Sequence, residues 1–66
     1  MPTVTVTKRG KRYFAQYSQL PGRSFGPFSF DEMVRDLFIA ALLPMQAARD
    51  LVLAASSGSP ASSSTG

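Results

Sequence analysis

The sequence has no cysteine, no histidine and no tryptophan. Without cysteine there are no disulfides, and without cysteine or histidine a soft metal lacks its usual ligands. General acid–base chemistry loses its commonest side chain. A serine nucleophile would need a base, and most serines lie in the last stretch of the chain. No glycine-rich phosphate loop stands between a strand and a helix, because Lys8-Arg9-Gly10-Lys11 reads as a turn. Together these absences predict a non-enzymatic protein with no cofactor and no small-molecule substrate. Long apolar runs are also missing. The start, MPTVTVT, has no continuous hydrophobic core of the signal-peptide kind. No run reaches membrane-spanning length, so no membrane partner is expected and the predicted location is cytoplasmic.

The first part of the chain also lacks acid. Lys8, Arg9, Lys11, Arg12 and Arg23 all precede Ser29, and no Asp or Glu does. From Ser29 onward, Arg35 and Arg49 are outnumbered by Asp31, Glu32, Asp36 and Asp50. Segregation of this kind suggests a basic surface aimed at an anionic partner. The plainer alternative is a hairpin whose cations guard its edges and keep it soluble.

With 66 residues there is room for one domain. Residues 1–55 carry the periodic patterns. Residues 56–66 are Gly/Ser/Pro/Ala-rich without apolar period, and are expected to form a disordered tail. A core this small is marginal alone, so a homodimer or docking on a larger partner is expected.

Thr3 to Thr7 alternates β-branched polar and apolar residues, the pattern of a half-buried strand with Val4 and Val6 inward. Arg12 to Ser18 reads as a second, aromatic strand. A four-residue loop over Lys8–Lys11 pairs Val6 with Tyr13, so that Val4, Val6, Tyr13, Ala15 and Tyr17 share the apolar face. A three-residue loop pairs Val6 with Arg12 and turns Phe14 inward. The first is favoured because it leaves every charge on the outer face. Pro21-Gly22 suits the centre of a type II turn. Arg23 to Phe28 is a short third strand, ended by Gly26-Pro27. Short connections favour an antiparallel meander.

Ser29 to Leu43 is the most periodic stretch and reads as the helix on which the sheet packs. Ser29 with Glu32 makes a capping box, Phe28 can staple onto Met33, and Asp31 suits the positive end of the dipole. Phe30, Met33, Val34, Leu37, Phe38 and Ala41 form the apolar stripe. Ile39 and Leu43 fall among the charges instead. Pro44 interrupts the pattern. A second helix follows to about Ala55, with Pro44 at its first position and Ala47, Ala48, Leu51, Val52 and Ala55 on its apolar side. A kinked continuation of the first helix is the alternative. Leu53 stands outside that apolar side. The expected fold class is α+β: a three-stranded antiparallel meander packed on one helix, with a second short helix after Pro44.

The candidate binding residues are Lys8, Arg9, Lys11, Arg12, Phe14, Gln16 and Arg23. Cations supply phosphate contacts, and Arg, Gln and an aromatic on a strand face can reach base edges or stack on a base. Ile39, Leu43 and Leu53 are candidates for a protein interface, because exposed apolar residues near charges mark such surfaces.

The run VTVTKRGKRYFAQY, followed by Pro21-Gly22-Arg23 and by Phe28 before a helix, resembles the N-terminal arm-binding domain of phage-type tyrosine integrases. That likeness implies a three-stranded sheet laid in the DNA major groove, with Arg12, Phe14 and Gln16 as readers. Phe25-Gly26-Pro27-Phe28-Ser29 with Glu32 is also similar to GYF-type peptide-binding modules, although those rely on a tryptophan. The expected function is a small phage or mobile-element binding protein that contacts DNA or a nucleoprotein through the basic hairpin. The alternative is a small inhibitor of host machinery, of the anti-CRISPR or polymerase-inhibitor type, that docks on an acidic protein surface.

Overall fold

A computed structural model describes residues 2–64. In chain order the elements are β1 (Thr3–Arg9), β2 (Arg12–Tyr17), β3 (Ser24–Phe28), α1 (Phe30–Ala40), α2 (Met45–Ala55) and β4 (Ala61–Ser64). The fold is α+β, with one antiparallel sheet in the order β3-β2-β1-β4. Both helices lie on one side of it. α1 contacts β2 and β3, α2 contacts β1 and β4, and the helices pack on each other. No helix among the described residues is long and apolar enough to cross a membrane.

The fourth strand corrects the expectation of a disordered tail. Ala61 pairs with Val6, and Ser62, Ser63 and Ser64 pair with Thr5, Val4 and Thr3. Serine is a poor strand former, but β1 would otherwise present an unpaired edge of N–H and C=O groups, and pairing satisfies it. Thr5 Oγ1 and Ser62 Oγ share a hydrogen bond of 3.0 Å, and Ala61 packs against the core. Before the strand, Ser56 and Ser57 hydroxyls each donate at 2.7 Å to the carbonyls of Leu53 and Ala54, which finishes α2. Positions 65–66 of the predicted tail lie outside the described residues.

The hairpin has a tighter turn than expected. Val6 faces Ala15, Lys8 faces Tyr13 and Arg9 faces Arg12, so Gly10-Lys11 alone make the turn. Gly10 has φ 62° while Lys11 is not left-handed, the dihedral pattern of a type II′ turn. The partner of Val6 thus moves by two positions from Tyr13 to Ala15. Because side chains alternate with period two, the same face stays inward. Val4, Val6, Tyr13, Ala15 and Tyr17 are buried as expected. The shift does place Lys8 within β1 on the core side, with Nζ 6.0 Å from the centre of the Tyr13 ring. Not every charge lies on the outer face.

The Leu20–Arg23 turn is type II as read. Gly22 has φ 82°, and the Arg23 N–H donates to the Leu20 carbonyl at 3.2 Å. Gly26-Pro27 does not end β3 but sits inside it. Tyr13 faces Phe28 while Ala15 faces Phe25, so β3 carries one extra residue opposite Phe14. β3 is an edge strand, where a missing proline N–H is tolerated.

α1 opens on the capping box. Ser29 N–H donates to Glu32 Oε1 at 3.2 Å, and Glu32 N–H donates to Ser29 Oγ at 3.3 Å. Met33, Val34, Leu37 and Ala41 are buried beneath it, with Phe30 partly covered. Phe38 departs from the expected stripe and is 48 % exposed. It lies on the stripe's margin, beyond Val34. The helix also stops short of Leu43. Leu42 takes a left-handed φ of 58°, and the Leu43 N–H returns to the Leu37 carbonyl at 3.2 Å. That reversal swings Leu43 into the core at 5 % exposure and leaves Leu42 outside at 67 %. α2 is therefore a separate helix. Pro44 stands at its cap rather than its first position, and Ala48, Leu51, Val52 and Ala55 face inward.

Candidate nucleic-acid interface

The sheet has one covered and one open face. Alternation puts Thr3, Thr5, Thr7 and Arg9 of β1 on the open side, with Arg12, Phe14 and Gln16 of β2 beside them. Ser24 lies opposite Gln16, and Ser62 opposite Thr5. No acidic residue occurs in any strand. All four acids lie on the helices, behind the sheet.

The tight turn changes what the hairpin can do. Arg9 and Arg12 are directly opposed across the ladder and project from the same face. Like charges so placed repel one another. An anion between them relieves that repulsion and can take hydrogen bonds from both guanidinium forks. Lys11 extends from the turn itself and is exposed. Among the predicted binding residues, the structure brings Arg9, Arg12, Phe14 and Gln16 onto one face of the sheet, with Arg9, Lys11 and Arg12 gathered at its turn end. Lys8 is held against Tyr13 on the opposite face. Arg23 is set apart, because it precedes Ser24, the partner of Gln16, near the far end of β2 from Arg12.

Phe14 is half-buried on the open face. Its seat is Gly26. A Cβ at that position would lie 2.8 Å from Phe14 Cδ1 and 2.8 Å from the Tyr13 carbonyl oxygen. The φ of Gly26, 146°, is one that side-chain-bearing residues rarely adopt. Thr7, Arg9, Phe14, Gln16 and Ser24 together line a groove of about 260 Å³. Sequence reading found Phe14 and Gln16 but missed Thr7, Ser24 and the Arg9–Arg12 opposition. The signal for the last was present, since Gly-X is the two-residue turn that a type II′ hairpin demands.

Of the interface candidates on the helices, Ile39 is 65 % and Leu53 52 % exposed. Leu43 is buried and is removed from that set.

One acid is engaged with the sheet from behind. Tyr17 Oη donates to Asp36 Oδ2 at 3.2 Å. Burial first, then the charge and hydrogen bond of Asp36, push the Tyr17 phenol up to about 12 from 10.0. The folded protein therefore holds this proton more tightly than the unfolded chain. Its contribution is complete below pH ~10 and is lost as pH rises through about 12, a loss on the order of 2 kcal/mol. Urea unfolding across that window should show a steeper decline in wild type than in Tyr17→Phe. Parallel declines would show that Tyr17 does not carry the alkaline limb.

No protein-family model, no curated protein and no solved structure matches the chain.

Proposed function

We propose that this chain is a non-enzymatic nucleic-acid-binding module, of phage or mobile-element type, that holds phosphates at the turn end of its open sheet face. The opposition of Arg9 and Arg12 on a face without acid carries this reading. The resemblance of the run VTVTKRGKRYFAQY, with Pro21-Gly22-Arg23 and Phe28, to integrase arm modules is in keeping with this reading. Such binding releases counterions, so affinity falls steeply with salt. Replacing Lys11 and Arg12 together by alanine should weaken binding of fluorescein-labelled random-sequence DNA at least about tenfold. It should also flatten the logarithmic salt slope by about two, roughly one per lost phosphate contact. Wild-type affinity that stays constant between low and moderate salt would count against the proposal.

The second reading is a protein-binding inhibitor of host machinery, or a homodimer, and it draws on the exposure of Ile39 and Leu53. Capture from a host lysate with and without nuclease separates the two. Loss of captured material on nuclease treatment favours the nucleic-acid reading. Retention of one protein, abolished by Ile39→Asp, favours the inhibitor.

A further inference from the structure

Resting on that nucleic-acid reading, we infer that the open face takes a single strand, with Phe14 as the ring on which one base stacks and Arg9 and Arg12 as holders of the adjoining phosphate.

A sheet that enters a duplex groove must present side chains that protrude toward base edges. Phe14 does the reverse. β3 carries one extra residue opposite it, and the absence of a Cβ at Gly26 lets the ring edge settle against the β3 backbone. Half-buried there, the ring lines a depression rather than crowning a ridge. Bases inside a duplex have their faces covered by neighbours, so only an unstacked base can lie on such a ring. Polar groups surround it in the required places. Gln16 and Ser24 face each other on one side, suited to a base edge, and Thr7 is the direct cross-strand partner of Phe14. Arg9 and Arg12 stand next along β1 and β2 toward the turn, where a backbone phosphate is met. Stacking is tolerant of base identity, so weak sequence preference follows. DNA and RNA share this chemistry.

The test uses the whole chain with labelled dT and U homopolymers and a blunt DNA duplex of equal length, at one salt concentration. Both single strands, or one of them, should bind at least about tenfold more tightly than the duplex. Phe14→Leu should weaken single-strand binding at least about fivefold and so narrow the single-strand preference over the duplex by a similar factor. Phe14→Trp introduces the chain's sole tryptophan. Its fluorescence should be quenched by the single strand and not by the duplex, which gives a readout even if the leucine variant folds poorly. Equal binding of both forms, or binding without quenching, overturns the single-strand inference while leaving phosphate binding intact. Absence of binding to every probe at low salt overturns both.

Discussion

Gly26→Ala should largely unfold the protein. The added Cβ would overlap the Tyr13 carbonyl oxygen, which is backbone and cannot swing away, and would press on the Phe14 ring. It would also force alanine into a φ of 146°. Backbone strain of this type costs about 1 to 3 kcal/mol, and overpacking adds a similar amount. A core in a chain of this length supplies only on the order of 3 to 5 kcal/mol. The remaining stability is then close to zero, and circular dichroism at 37 °C should show mostly unfolded chain. A urea midpoint that matches wild type would mean that β3 can relax its bulge without cost. The same bulge seats Phe14, so a folded Gly26→Ala protein should also lose the ring's position on the open face.

The second large effect is expected at Leu37. Its side chain has no exposure and lies mid-helix over the sheet, so Leu37→Ala should cost about 3 kcal/mol through lost burial and the cavity left behind. Ile39, two residues along, is 65 % exposed, and Ile39→Ala should fall within about 0.5 kcal/mol of wild type. Chemical denaturation of both variants decides the matter in one experiment. A large loss at Ile39 would show that something already covers it, such as a second copy of the chain. That outcome should then depend on protein concentration.

These two residues also show how far the sequence could be read. Helical periodicity placed Leu37 inside and Ile39 outside, because a spacing of three and four fixes which side chains share a face. Periodicity says less about the edges of a stripe, which is why Phe38 reads as part of the stripe although it is half exposed. It says nothing about Leu43 once the chain leaves the helix. Burial of Leu43 follows from the left-handed turn at Leu42, a conformation leucine disfavours and sequence reasoning had no cause to expect. The inward face of the sheet was legible for a similar reason. A register slip of two leaves it unchanged, so Val4, Val6, Tyr13, Ala15 and Tyr17 were identified despite the wrong loop length. The site suffered where the core did not. Whether Arg9 opposes Arg12 or lies in a loop depends on that slip alone. Nor could composition anticipate β4, since its pairing answers a need of β1 far earlier in the chain rather than any propensity of serine.

That last pairing has a geometric consequence. Thr3 lies opposite Ser64, so the two ends of the described chain share a corner, with Cα atoms about 5 Å apart as in any antiparallel pair. The basic turn is at the other end of β1, about 20 Å away along the strand. A dye or affinity group attached beside Thr3 or Ser64 would hang from the corner remote from Arg9 and Arg12. Tethered at that corner, the molecule points its charged tip away from the support.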